Sequence, residues 1–164
     1  MTSRMRLRGY DYATPGMCFV TICTAHRACL FGEMHDDEIV LSPAGQVVES
    51  WWGTIPVRFP TVELDAMVVM PNHIHGVLML PAAEPDCGDV PNLSEVVRWF
   101  KSHTTRDYIR GVHTEQWPQF EKQLWQPRFH DHIVRSDAAL DRIRRYIEAN
   151  PSRWPQDDLH PEKR

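Results

Sequence analysis

Short runs of apolar and β-branched residues predict four strands. They stand at 17–24, 61–70 and 73–80, and a shorter fourth run, HIVR, closes the segment 124–136. β-branched and aromatic side chains favour extended backbone, and residues typical of turns separate the runs. An adjacent pair of aspartates in the middle of 30–42 predicts a small hairpin after the first strand.

Apolar residues repeated at intervals of three and four predict three helices, at 42–56, 92–111 and 137–150. This spacing places the apolar side chains on one face of a helix. Asn92, with a glutamate three positions later, has the spacing of a capping box, and Ser136 is a natural N-cap. A proline directly after the last segment ends that helix.

The order of the predicted elements is strand, helix, two strands, helix, strand, helix. A β-α-β-β-α-β series is typical of the ferredoxin-like α+β fold, an antiparallel sheet with helices on one face, followed here by one extra C-terminal helix. The chain of 164 residues, 42% of them hydrophobic, fits a single domain over 1–164. Within it we expect a basic arm at 1–12 and a short polar tail at 152–164.

Charge is unevenly spread along the chain, so the net value of −4 says little about its partners. Residues 9–97 hold two basic residues against twelve acidic ones, whereas residues 98–145 hold ten basic against six acidic. The arm at 1–12 adds three arginines. A phosphate backbone would be attracted to the arm and to the later half of the chain, although ordinary solvated helix faces produce the same asymmetry.

The sequence predicts a protein of the cytoplasm with no membrane partner. No apolar run approaches the roughly 20 residues that span a bilayer. The basic start of the chain is not followed by the hydrophobic region of a signal peptide.

The predicted strand at 73–80 carries two histidines, His73 and His75, separated by one residue. Alternate residues of a strand point to the same side, so both imidazoles face one place from backbone positions about 7 Å apart. Neutral imidazole is a ligand for divalent metals such as Zn, Mn, Ni or Fe. Histidine pairs also occur in half-buried strands without a metal, so the pair alone leaves both interpretations open.

The predicted last helix places Tyr146 and Asn150 four residues apart and therefore on one face, with Arg142 one turn earlier. An asparagine carbonyl can bind a divalent cation, and a tyrosine phenol can act as a nucleophile. With the histidine pair, these residues would suit metal-assisted attack on a phosphate. The spacing alone is explained better by a Tyr146 that packs and an Asn150 that ends the helix before Pro151.

The chain resembles the IS200-like single-tyrosine HUH transposases, and most closely their REP-associated tyrosine transposase branch. The resemblance is carried by six stretches in this order: FVTICT, CLFGE, VELDAMVVMPNHIHGVLML, FKSHTTR, LWQPRFHDHIVR and YIEANPSRW. Together they extend from about residue 10 to residue 158. MPNHIH followed by YI-x-x-NP at this separation is far more specific than either motif alone.

The resemblance implies a metal-dependent endonuclease and strand transferase of DNA transposition, which cuts single-stranded DNA next to an imperfect hairpin. Tyr146 matches the nucleophile that forms a 5′-phosphotyrosine link and releases a 3′-hydroxyl. His73 and His75 match the paired metal ligands, and Asn150 matches the amide ligand. The implied ion is Mg²⁺ or Mn²⁺. The energy of the cleaved bond is kept in the covalent intermediate, so rejoining needs no ATP.

Basic residues around the implied catalytic helix and in the arm are candidates for contacts with the DNA backbone. They are Arg4, Arg6, Arg8, Lys101, Arg106, Arg142, Arg144 and Arg145. Insertion-sequence members of the family are dimers with the tyrosine supplied in trans, whereas REP-associated members can act alone, so a homodimer and a monomer both stay open. The resemblance also implies association with the nucleoid when the protein acts.

Three other functions compete with this one. A histidine-triad nucleotide hydrolase shares H-I-H, but Val77 stands where its third histidine belongs. A cupin-like oxygenase would need a spaced glutamate and a later histidine that the chain lacks. The main alternative is a non-mobile, host-serving protein that processes or only binds REP hairpins. The presence of all four implied site residues together argues against loss of activity.

Overall fold

The computed structural model describes residues 16–81 and 90–163. The predicted basic arm, with Arg4, Arg6 and Arg8, lies outside the described residues. The strands are β1 (Met17–Cys23), β2 (Gly32–His35), β3 (Glu38–Leu41), β4 (Glu63–Met70), β5 (His73–Met79) and β6 (His130–Ile133). The α-helices are α1 (Pro43–Gly53), α2 (Ile55–Arg58), α3 (Leu93–Glu115) and α4 (Asp137–Ala149), and 3-10 helices span Ala25–Arg27 and Pro151–Gln156.

The main strands form one antiparallel sheet in the order β4-β5-β1-β6. With α1 after β1 and α3 after β5, this is the predicted β-α-β-β-α-β arrangement, and the predicted fold class is confirmed. The hairpin of β2 and β3 is also confirmed. Asp36 and Asp37 form its turn with φ values of 49° and 64°, a backbone conformation that aspartate tolerates better than most residues.

Alternate residues of β1 and β5 face opposite sides of the sheet, and each side has its own hydrophobic core. On one side, Val20 packs with Trp52 of α1 and Phe100 of α3. On the other side, Val77 packs with Leu140 of α4. The helices α1 and α3 therefore cover one face, and the extra helix α4 covers the other.

Side-chain caps determine where α3 and α4 begin. Asn92 Oδ1 accepts a hydrogen bond of 2.9 Å from the Glu95 backbone N–H, and the Glu95 carboxylate accepts one of 3.0 Å from the Asn92 N–H. Ser136 Oγ accepts a hydrogen bond of 3.1 Å from the Ala139 N–H. Helix α3 continues past its expected end at 111 until Gln116, in the left-handed conformation, ends it. None of the helices in these described ranges is long and apolar enough to cross a bilayer.

Gly76 in β5 leaves room for the indole ring of Trp52. A Cβ atom on Gly76 would lie 2.3 Å from Trp52 Cζ2, a distance that forces the ring to move. We expect Gly76→Ala to lower the free energy of unfolding by about 1–3 kcal/mol, as overpacked core substitutions do. Urea denaturation measures the change.

Gly53 provides the matched control, because a Cβ atom there would meet no described atom within 4 Å. Gly53→Ala in the last turn of α1 should leave stability unchanged or raise it by up to about 1 kcal/mol. Equal stabilities of the two variants would show that Trp52 can shift at little cost and would contradict the close packing of α1 on β5.

Candidate active site

His73 and His75 lie on the face of β5 that α4 covers. Both side chains are buried, with exposed fractions of 0% and 3%. Their Nε2 atoms are 3.2 Å apart, so the rings converge from their backbone positions onto one point. The expectation that both imidazoles face one place is confirmed.

Asn72 fixes the orientation of the His73 ring. Its amide nitrogen donates to the carbonyl oxygens of Arg27 at 3.2 Å and Leu159 at 2.8 Å. Because both amide hydrogens are used, Asn72 Oδ1 is the atom that faces His73 Nδ1 at 2.8 Å, and it accepts a hydrogen bond from the Nδ1–H group. His73 Nε2 then carries a lone pair toward His75.

The His75 ring is held by the neighbouring strand β1. Thr21, which pairs with His75 across the two strands, places its Oγ1 2.8 Å from His75 Nδ1. The Phe19 ring stacks on the imidazole with centroids 5.3 Å apart. A threonine at Nδ1 and a phenylalanine on the ring face leave Nε2 as the nitrogen that points into the site.

Both histidines are neutral at physiological pH. Burial lowers the pKa of His73 to about 4, and contact with Asn150 opposes this only in part. Burial also lowers the pKa of His75 to about 3, with a further lowering from His73. Neutral imidazole is the form that binds metal ions, so the burial that disfavours protonation keeps the pair ready as ligands.

Asn150 follows the last residue of α4 and brings its amide to the histidine pair. The side chain is 2% exposed and lies close to both His73 and Tyr146. Its Oδ1 accepts no hydrogen bond from any group in the described ranges. A buried acceptor without a partner costs about 1–3 kcal/mol, which points to a ligand that would complete it.

Asp157 completes a cluster that could hold a metal ion. Its Oδ2 lies 3.9 Å from His73 Nε2. The ligand atoms of His73, His75 and Asp157 all lie within 4.8 Å of one another. Two imidazole nitrogens and a carboxylate oxygen are a set that fits a divalent cation.

Sequence reasoning missed Asp157 because it lies in the segment 152–164, interpreted as a polar tail. The 3-10 helix Pro151–Gln156 turns this segment back against β5. Trp154 in that helix is buried, with its ring centroid 6.0 Å from that of His73. A tryptophan within a polar tail was the one available sign that the tail docks on the protein.

Tyr146 lies on α4 beside the two histidines. Its ring centroid is 5.3 Å from that of His75 and 6.1 Å from that of Phe19. The side chain is nevertheless 42% exposed. Burial of part of the side chain raises the pKa of the phenol, and the neighbouring Asn150 amide lowers it to a smaller extent. The structure therefore brings Tyr146, Asn150, His73 and His75 together, as the sequence predicts.

Of the expected DNA-binding residues, Arg142 and Arg145 lie exposed on α4 beside Tyr146 and line a groove of about 490 Å³. Arg144 differs from this expectation. Its Nε and Nη2 donate to the two carboxylate oxygens of Asp65 on β4, at 2.7 and 2.5 Å. This bidentate ion pair fastens α4 to the sheet, so the guanidinium is engaged inside the protein.

Lys101 and Arg106 lie on α3, on the opposite face of the sheet from Tyr146. The Lys101 amine donates to the carbonyl oxygens of Gln126 at 2.7 Å and Arg128 at 3.3 Å, and burial lowers its pKa. Arg106 Nε donates to Asp107 at 3.3 Å. Both cations form contacts within the protein, and their part in DNA binding stays a prediction.

Residues 57–150 match the family model described as transposase IS200 like. An uncharacterised protein of Haemophilus influenzae is 32% identical over 95% of this chain and 91% of its own length. The REP-associated tyrosine transposase of Escherichia coli is 27% identical, over 60% of this chain and 54% of its own length. The match with this second relative thus spans about half of that protein.

Two solved structures share the fold. The structure of a REP-associated tyrosine transposase bound to a REP hairpin has a TM-score of 0.57 and 26% identity, covering 89% of this chain and 72% of that one. A crystal structure of a Deinococcus radiodurans protein has a TM-score of 0.53 and 21% identity, covering 87% of this chain and 95% of that one. The family match over more than half of the chain shows that it belongs to the IS200-like transposases, and REP-associated tyrosine transposases are among its relatives.

Proposed function

We propose that the chain is a metal-dependent endonuclease and strand transferase that acts on single-stranded DNA next to a hairpin, with Tyr146 as its nucleophile. The observation that carries the proposal is the position of this exposed phenol beside two convergent imidazoles and a buried amide. If these side chains only packed, the two Nε2 atoms would not need to converge, and Asn150 Oδ1 would not need to lack a hydrogen bond. A site in which a metal ion assists a nucleophile explains both features.

His73 Nε2, His75 Nε2, Asn150 Oδ1 and an Asp157 oxygen would hold the divalent ion. The separation of 3.2 Å between the two Nε2 atoms is compatible with two ligands of one ion, since zinc–nitrogen bonds, for comparison, measure about 2.0–2.1 Å. Two oxygen donors beside two imidazoles suit Mg²⁺ or Mn²⁺, and Mn²⁺ accepts imidazole more readily. When bound, the ion supplies Lewis-acid polarisation of a phosphate oxygen.

The chain's own residues supply the covalent step. The Tyr146 oxygen attacks the phosphorus and loses its proton to water, which reaches the half-exposed phenol. The new bond joins this oxygen to the phosphorus, and the bond from phosphorus to the 3′ oxygen breaks. The 3′ oxygen takes up a proton and leaves as a hydroxyl. Attack of a 3′-hydroxyl on the phosphotyrosine reverses the exchange and frees Tyr146, with no external energy source.

A DNA hairpin is the proposed partner. The support is the likeness to the solved REP-associated tyrosine transposase, which is bound to a REP hairpin. The exposed Arg142 and Arg145 beside Tyr146 are consistent with an anionic partner.

The polarity of the covalent link tests the proposal. The protein is incubated with Mn²⁺ and a library of single strands that carry hairpins of varied sequence, labelled at either the 3′ or the 5′ end. Because Tyr146 would keep the 5′ phosphate of the downstream piece, only the 3′ label should migrate with the protein in a denaturing gel, and EDTA should abolish this band. A protein band with the 5′ label, or an unchanged band in EDTA, would contradict the proposed chemistry.

A further inference from the structure

A groove of about 490 Å³ lies beside Tyr146 and is lined by three arginines, Arg142, Arg145 and Arg153. Two of them project from α4, and Arg153 comes from the 3-10 helix Pro151–Gln156 that follows. All three side chains are exposed. Glu148 is the single acidic residue in the lining, so the groove carries net positive charge.

None of these three arginines forms an ion pair with another residue in 16–81 or 90–163. Arg144 on the same helix α4 behaves differently, because it pairs with Asp65. Surfaces usually intersperse the two signs of charge, because like charges held together repel. Three unpaired guanidinium groups around one groove therefore indicate an anionic ligand.

Arg153 and the nucleophile Tyr146 line the same groove. The metal-ligating set His73, His75 and Asn150 lies on the inner side of Tyr146, whereas the arginines lie on its exposed side. A phosphodiester at the Tyr146 oxygen would thus extend from the histidines into the groove.

We propose that this arginine groove binds the phosphate backbone of the single strand next to the scissile phosphate, and that Arg153 is one of its binding residues. The inference rests on the proposed function and adds the path of the strand. Guanidinium groups bind phosphates as planar bidentate donors. Contacts of this kind position the strand without reading its sequence.

Measuring DNA binding in the absence of cleavage tests the groove separately from the covalent step. Fluorescence anisotropy follows the Tyr146→Phe protein in EDTA with labelled single strands of about 20 nucleotides, longer than the roughly 4–16 that single-strand sites cover. One strand is of mixed sequence and the other is oligo-dT. Adding Arg153→Ala should weaken binding about 3- to 10-fold at about 50 mM NaCl and reduce the slope of log affinity against log salt by about 0.7.

Arg98→Ala in the same background is the matched control, because Arg98 is exposed on α3, across the sheet from the groove. It should leave affinity and salt slope unchanged. Arg153→Lys, which keeps the charge but loses the bidentate geometry, should keep the salt slope and only part of the affinity. An Arg153→Ala protein that behaves like the Arg98→Ala protein would overturn the inference. So would a loss confined to one of the two strands, or a parent protein with no affinity for either strand.

Failure of this inference can be told apart from failure of the proposed function. If the groove is not used but the function is correct, the wild-type protein still forms the 3′-labelled adduct, and Arg153→Ala forms it equally well. If the function itself is wrong, the wild-type protein forms no adduct with any hairpin of the library.

Discussion

Replacing Tyr146 with phenylalanine is expected to abolish covalent attachment to DNA, a loss of at least about 10³-fold of the kind seen when a nucleophile is removed. Single-strand binding should persist, because the substitution removes one oxygen and keeps the ring that packs edge-on against Phe19 and His75. The unfolding free energy should change little, since the side chain is 42% exposed. Adducts are counted in denaturing gels, and binding is measured by anisotropy.

Tyr108→Phe is the matched control for this experiment. The Tyr108 hydroxyl donates to the Pro118 carbonyl oxygen at 2.7 Å, on the far side of the sheet from the histidines. Its removal should lower the unfolding free energy by about 1 kcal/mol and leave adduct formation intact. Adducts of normal yield from Tyr146→Phe would show that another side chain is the nucleophile.

The second large effect is expected from His75→Ala. The substitution removes one of the two convergent Nε2 atoms, so we expect at least about tenfold weaker Mn²⁺ binding, since even loss of an outer-shell partner costs 10–100-fold. Cleavage should fall below detection. Electron paramagnetic resonance of free Mn²⁺ gives the affinity without DNA, so the metal role is tested apart from activity.

His35→Ala controls for a general effect of losing a histidine. His35 lies in β2 with 63% of its side chain exposed, and it is remote from the β5 pair. Both Mn²⁺ affinity and adduct yield should match those of the wild type. Retention of Mn²⁺ affinity by a folded His75→Ala protein would refute the assignment of His75 as a ligand.

The sequence alone predicts which residues of one strand or helix lie side by side. Which strand and helix meet at the site could be predicted only from the resemblance to the family. The two-residue period of a strand places His73 beside His75, and the helical period places Tyr146 above Asn150. That these pairs meet requires α4 to cross the sheet on the histidine face. Propensity and periodicity do not determine which face a following helix covers, so this step needed either the family pattern or the coordinates.

The residues that sequence reasoning missed lie where the chain leaves regular structure. Asp157 and Arg153 reach the site through a 3-10 helix, which has no hydrophobic period long enough to detect. Lys101 and Arg144 present the converse case. Their charges can be read from the sequence, but the carbonyl oxygens and the Asp65 carboxylate that engage them are distant along the chain.

Asn72 contacts both the histidine pair and the segment 157–163, so it links metal binding to the docking of that segment. It accepts from the His73 ring and donates to the Leu159 carbonyl oxygen, while Asp157 lies next to the same ring. An ion held by His73 and Asp157 would stabilise the docked position of residues 157–163. By thermodynamic reciprocity, docking of this segment would raise the affinity for the ion by the same factor.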